Sequence, residues 1–214
     1  ELDERLKPIL ELTVGEFDNL EIIWQDVLKT DVKALVAEKF QGLRPMACAN
    51  LPYYITSPVI MLLLESRLPI DSITVMVQKE AAQRLCAKVG SRESGAITVG
   101  VNYYGSVKQL FGVSRGSFMP APNVDSAVIR LDISRQPKYT PKDEKLFFRM
   151  VHAAFGQRRK TAANSISSGM GVSKEIIAKA IEECGFEPSV RAETLKMSDL
   201  AALSEKIAEL LRNC

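Results

Sequence analysis

Up to about residue 134 the chain alternates short β-prone runs with helical stretches; beyond Pro141 only helical patterns remain. Few architectures accept that order. Strands linked through helices build a mostly parallel sheet, and a closing strand pair gives it an antiparallel edge. Hydrophobic period places strands at 20–24, 46–49, 72–77, 107–113 and 126–133. It places helices at 3–13, 31–40, 57–64 and 79–88; residues 96–104 are ambiguous by period, with helix favoured. Leu6, Ile9, Leu10 and Leu12 form the apolar face of the first. Ser57 reads as an N-cap, with Pro58 in the first turn. Four more helices are expected at 142–155, about 159–168, 173–184 and 198–212, with Gly185 as a stop. The expected layout is an α/β domain over 1–137 and a small all-helical domain over 138–214, with the change of character at 135–141.

An apolar fraction of 46% fills a core, and a net charge of +2 announces no polyanion partner. The charge distribution says more. No acid lies between Glu93 and Asp125, a stretch holding Lys108 and Arg115. None lies between Glu144 and Glu175, a stretch holding Arg149, Arg158, Arg159 and Lys160. Basic, acid-free stretches suit a phosphate-facing surface; the alternative is a solvated helix face. The cysteines, Cys48, Cys86, Cys184 and Cys214, are scattered, and His152 is the only histidine, so neither a metal site nor a disulfide framework is expected. Reduced cysteines suit a cytoplasmic protein. His152, in an apolar helical stretch, reads as structural. One histidine without Gly-x-Ser-x-Gly argues against a Ser-His-Asp hydrolase. No run reaches membrane-spanning length, and the opening Glu-Leu-Asp-Glu-Arg is no signal peptide.

The chemistry concentrates at Asn50-Leu51-Pro52-Tyr53, at the C-terminal end of the 46–49 strand. Ligands of open α/β sheets bind at that end. An exocyclic adenine amine is a poor nucleophile because its lone pair is conjugated into the ring. The Asn50 side-chain oxygen and the Leu51 carbonyl can accept both of its N–H hydrogens and favour a tetrahedral nitrogen. Pro52 stiffens the turn, Tyr53 can stack on the base, and Phe118, in the proline-rich loop Phe118–Pro122, can cover the other face. The plain alternative is a strand-ending turn with a core tyrosine.

Five segments occur together in order: Asn50-Leu-Pro-Tyr-Tyr-Ile-Thr-Ser-Pro58, Val77-Gln-Lys-Glu-Ala-Ala-Gln-Arg84, Phe118-Met-Pro-Ala-Pro-Asn-Val-Asp-Ser126, Gln157-Arg-Arg-Lys-Thr161 and Arg191-Ala-Glu-Thr-Leu195. In these the chain resembles the small-subunit ribosomal RNA adenine N6,N6-dimethyltransferases, the KsgA-type family. The resemblance implies a Rossmann-like class I methyltransferase sheet followed by a helical RNA-binding domain. It implies an S-adenosylmethionine-dependent enzyme, without metal, that dimethylates two adjacent adenines in a hairpin near the 3′ end of small-subunit rRNA. The partner would be the immature small ribosomal subunit, and the enzyme a monomer. On this mapping Asn50, Leu51, Pro52, Tyr53 and Phe118 form the catalytic pocket. Glu1 meets the cofactor ribose, Asp26 and Val27 its adenine, and Asn50 also borders the cofactor. Asp26 read without the family is equally a loop or helix-cap aspartate. Arg84, Arg115, Arg158, Arg159 and Lys160 would contact the RNA backbone; the Arg158–Lys160 run alone is equally a helix start with solvated charges.

The family's glycine-rich loop and first strands precede the position of Glu1. On this mapping these residues are a fragment, or the ordered part of a longer chain, for which open sheet edges, an exposed apolar face and weak cofactor binding by the isolated 214 residues are expected. The loop Lys88-Val-Gly-Ser-Arg-Glu-Ser-Gly95 lacks a proline and a tyrosine common in the family, and no role is assigned to it. Three other readings remain: a large-subunit rRNA adenine methyltransferase of the antibiotic-resistance type, a DNA adenine methyltransferase, and a non-catalytic RNA-binding assembly protein on the same fold.

Overall fold

The structure, a computed structural model, describes residues 1–134 and 139–213. The expected boundary at 135–141 therefore lies partly outside the described residues, as does Cys214. Contacts divide the chain into two compact units: Glu1–Pro45 with Tyr54–Pro69, and Met46–Tyr53 with Ile70–Cys214.

In the first unit a 3-10 turn, Glu4–Leu6, runs into α1 (Lys7–Val14). Asp3 caps the turn by accepting the Arg5 N–H at 3.1 Å. Helix α2 (Val32–Lys39) is capped by Asp31, which accepts the Ala34 N–H at 2.9 Å. Helix α3 (Thr56–Glu65) supplies the buried side chains Val59, Ile60 and Leu64. Three expectations change here. The first helix forms, but it buries none of its residues: Ile9 is 57% and Leu12 88% exposed. Residues 20–24 form no strand. β-Prone side chains become a strand only where a neighbour completes the hydrogen-bond ladder, and no described strand pairs with them. Ser57 is not the N-cap: the 3-10 turn Tyr53–Ile55 continues directly into α3, which puts Ile55 at the cap and Ser57 inside the first turn.

The second unit holds a four-stranded sheet in the order β1-β2-β4-β3. Its strands are β1 (Ala47–Asn50), β2 (Ser72–Gln78), β3 (Gly105–Val113) and β4 (Ser126–Ile133). Among the described residues β1 and β2 pair in parallel, while β2–β4 and β3–β4 are antiparallel. Parallel pairing is thus confined to one edge of a mixed sheet. Helix α4 (Lys79–Leu85) follows β2 at once and ends three residues earlier than expected, capped at Cys86. Helix α5 (Ala96–Tyr104) resolves the ambiguous stretch as the helix that was favoured. It passes into β3 without a loop, and only glycine fits the junction: a Cβ on Gly105 would lie 2.2 Å from the Asp132 carbonyl oxygen.

Ile73, Val75 and Val77 of β2 and Ala127, Ile129 and Leu131 of β4 are buried in the sheet core. The helices that follow are α6 (Glu144–Gly156), α7 (Ala162–Met170), α8 (Lys174–Glu183) and α9 (Met197–Arg212). Gly185, at φ +81°, closes α8 as expected. Its N–H reaches the Glu182 carbonyl, and the Phe186 N–H reaches that of Ile181, at 2.8 and 3.1 Å. Tyr103 and Tyr104 of α5 form one ring cluster with Phe147 and Phe148 of α6, at centroid separations of 5.0–5.7 Å. Tyr103 also donates to Glu144 at 2.8 Å. These contacts join α5 to α6 within the second unit.

Candidate functional site

The site residues of the second unit gather at one end of its sheet. Asn50 ends β1 and pairs with Met76; at the same end Gln78 of β2 pairs with Ser126, where β4 begins, and Val113 of β3 pairs with Ser126 too. The segment carrying Phe118 leaves from this row of residues. Asn50 is exposed, so its amide is not lost to the core, while Leu51 and Phe118 are half-buried and Pro52 is exposed. The Tyr53 hydroxyl and the buried Ser126 hydroxyl are 2.7 Å apart and share a hydrogen bond. The ring of Tyr53 is half-buried, so the turn-with-core-tyrosine alternative is met only in part.

Asp125 ties down the base of the Phe118 segment. Its carbonyl accepts the Lys79 N–H at 3.0 Å and its carboxylate the Arg115 N–H at 3.1 Å. A short 3-10 turn, Arg115–Ser117, then delivers Phe118. Sequence reasoning had no view of this anchoring, because Lys79, Asp125 and Ser126 meet only through strand register.

Glu1, Asp26 and Val27 belong to the first unit. One carboxylate oxygen of Glu1 accepts the N–H groups of Asp3 and Leu2, each at 2.8 Å. Those bonds, that of Asp3 first, hold the carboxyl below its usual range and keep it an acceptor. The Glu1 nitrogen donates to the Ile23 carbonyl at 2.9 Å, which sets Glu1 beside the segment leading to Asp26. Asp26 accepts the Leu28 N–H at 2.9 Å, and its carbonyl accepts the Lys29 N–H at 2.9 Å. It is therefore a turn-forming aspartate, as one alternative had it, with a second carboxylate oxygen to spare. Two carboxylates rich in acceptor capacity suit a ribose diol and an adenine amine, so the residues present fit the nucleoside half of S-adenosylmethionine.

Of the basic candidates, Arg84 and Arg158 come together. They line a cleft of about 460 Å³ with Arg92, Arg191 and the carboxylates of Glu80, Glu93 and Glu193. Arg158 donates to the Arg92 carbonyl at 3.0 Å; Arg191 donates to the Arg158 carbonyl and pairs with Glu193 at 2.8 Å. The 88–95 loop, to which no role was assigned, thus contributes Arg92 and Glu93 to the cleft and holds Arg158 through the Arg92 carbonyl. Arg159 and Lys160 are exposed beside it. They do not start a helix: Thr161 is the N-cap of α7, accepting the Asn164 N–H at 3.3 Å, so the basic run is the turn between α6 and α7. Arg115 does not line this cleft and stands in the Phe118 segment instead. Sequence reasoning missed Arg92, Glu93 and Arg191 as partners, although the Arg191 segment was among those that matched. His152 is also corrected: it is exposed on α6, because the core stripe runs through Phe147, Met150, Val151 and Ala154.

The family model described as ribosomal RNA adenine dimethylase matches residues 1–209. The chain is 46% identical over 216 residues to "Ribosomal RNA small subunit methyltransferase A" of Geobacillus thermodenitrificans, covering 99% of this chain and 74% of that protein. It is 41% identical to the protein of that name from Alkaliphilus metalliredigens, covering 97% and 73%. Among solved structures, a dimethyladenosine transferase from Plasmodium falciparum superposes with a TM-score of 0.69 at 23% identity, covering 95% of this chain and 78% of the other. The 23S rRNA methyltransferase ErmE gives 0.63 at 21%, covering 97% and 80%. Those two likenesses establish the fold, and the chain belongs to the ribosomal RNA adenine dimethylase family.

Proposed function

We propose that this chain carries out S-adenosylmethionine-dependent N6,N6-dimethylation of two adjacent adenines of small-subunit rRNA, as a cytoplasmic monomer acting on the immature small subunit. The observation that carries this reading is the 41–46% identity, over nearly the whole chain, to proteins named for small-subunit rRNA methylation. The likeness to ErmE is one of fold, at 21% identity, and does not favour the large subunit. S-adenosylmethionine, when bound, supplies an electrophilic methyl group.

The chain's own residues prepare the nucleophile. The Asn50 side-chain oxygen and the Leu51 carbonyl accept the two N–H hydrogens of the adenine amine and draw its lone pair out of conjugation. Tyr53 and Phe118 stack on the extruded base, at roughly 1–3 kcal/mol per ring. Extrusion costs a few kcal/mol, less from a loop than from a duplex. Glu1, Asp26 and Val27 would hold the nucleoside half of the cofactor. Residues 138–214, with Arg84, Arg158, Arg159 and Lys160, would bind the RNA backbone, and Arg115 would contact it beside Phe118. Among the described residues no helix is long and apolar enough to cross a membrane.

The test is methyl incorporation into small and large ribosomal subunits by the wild-type protein and by Asn50→Ala. Methylation of small subunits alone is expected, reduced about 10²-fold or more in the variant, with RNA affinity unchanged. Incorporation into large-subunit RNA, or a fully active variant, overturns the reading.

A further inference from the structure

A second cavity, of about 340 Å³, lies beside the first and shares Arg84, Glu93 and Arg158 with it. It adds the start of α5 with Ile97, and His152 and Phe155 of α6. The backbone-binding reading uses the two arginines. It leaves the rest without a purpose: a carboxylate repels phosphate, and a phosphate gains nothing from a half-buried phenyl ring. A nucleotide needs all of these parts. Its phosphate suits Arg84 and Arg158. The face of its base suits Phe155, with Ile97 and His152 alongside. A donor-bearing base edge suits Glu93.

The groove is also built in advance. The Thr98 hydroxyl donates to the Arg84 carbonyl at 2.6 Å and accepts the Gly95 N–H at 2.9 Å, which locks the end of α4 to the start of α5. Arg158 is held on the Arg92 carbonyl. The two oxygens of a carboxylate match two parallel N–H donors. Among the RNA bases only guanine presents such a pair, at N1 and N2, on its pairing edge.

We propose that this groove is a second nucleotide subsite, which takes an unpaired guanosine of the RNA substrate with Glu93 reading its N1–H and N2–H edge and Phe155 stacking on it. The proposal rests on the rRNA reading above. It adds sequence recognition at a place apart from the Asn50 end of the sheet.

The test uses labelled oligoribonucleotides UUGUU, UUAUU, UUCUU and UUUUU, titrated against the chain at fixed moderate salt. UUGUU is expected to bind about tenfold more tightly than UUUUU. Glu93→Gln should abolish that preference, so that UUGUU and UUUUU bind it equally, while Phe155→Leu, which keeps apolar bulk, should weaken all four about fivefold. Equal binding of the four by the wild type, or a preference that survives in Glu93→Gln, overturns the subsite. Methylation of small subunits is measured in parallel. If it persists without a guanosine preference, only the subsite falls; a preference without methylation removes the functional reading and leaves the subsite standing.

Discussion

Where α6 crosses α7, Gly169 faces Ala153 at backbone distance. A Cβ added at 169 would sit 2.6 Å from the Ala153 Cβ and 2.9 Å from its Cα, against an ordinary contact of 3.4–4 Å. Gly169→Ala therefore sets two effects against each other. Helix propensity favours alanine by about 1 kcal/mol. Overpacking costs about 1–3 kcal/mol, and the upper end applies because the atoms struck are backbone and Cβ, with no rotamer to swing aside. The net is a loss of roughly 1–2 kcal/mol, which lowers the melting temperature by about 3–6 °C for a chain of this size. Thermal unfolding followed by circular dichroism at 222 nm, with urea titration for the free energy, measures it. Adding Ala153→Gly removes the nearer of the two obstructing carbons, so the double variant should exceed the additive expectation by about 1 kcal/mol. A Gly169→Ala protein as stable as wild type would refute the close-approach argument and leave propensity in charge.

Tyr53→Phe, which keeps the ring and loses the bond to Ser126, should cost about 0.5–1.5 kcal/mol in urea titrations and change methyl transfer only a few-fold; Tyr53→Ala should cut methyl transfer at least tenfold more. Asp132 is held below the usual carboxylate range, first by the Arg130 hydrogen bond at 2.7 Å and also by Lys108 at 3.5 Å. Its stabilisation is present above about pH 4 and lost as pH falls through the lowered value. Asp132→Asn should thus show a shallower decline below pH 4, by a few tenths of a kcal/mol at most, since the pair is well exposed. Of the three described cysteines Cys48 is exposed, whereas burial pushes the Cys86 and Cys184 thiols up. Alkylation followed by peptide mass spectrometry at pH 8 should therefore label Cys48 first.

The elements read correctly from sequence were those whose signal is local. The paired β-runs at 107–113 and 126–133 and the glycine after α8 each carry their own cue, whereas 96–104, ambiguous by period, was favoured as helix and forms one. Residues 20–24 misled because a strand is a property of two segments, and composition speaks for only one. Ser57 misled because a 3-10 turn at Tyr53–Ile55 continues into the helix and leaves no cap to fill. The Asn50–Tyr53 stretch stood out because its residues are contiguous, and the structure puts Asn50 at the C-terminal end of β1 as expected. The arginine cleft did not stand out: it draws on α4, the 88–95 loop, the α6–α7 turn and the Arg191 segment, which no spacing rule joins. His152 was decodable in principle. A helical wheel through Phe147, Met150, Val151 and Ala154 puts residues 148, 152 and 155 off the buried stripe.

Tyr53 reaches from the exit of β1 to the first residue of β4, and Lys79 at the exit of β2 holds Asp125. The segments bearing Asn50 and Phe118, the two arms of the proposed base pocket, are therefore both tied to the start of β4. If that proposed pocket takes the base, the shared anchor lowers the ordering cost of binding, and a substitution that loosens the β2–β4 ladder is expected to weaken base capture even when made far from Asn50.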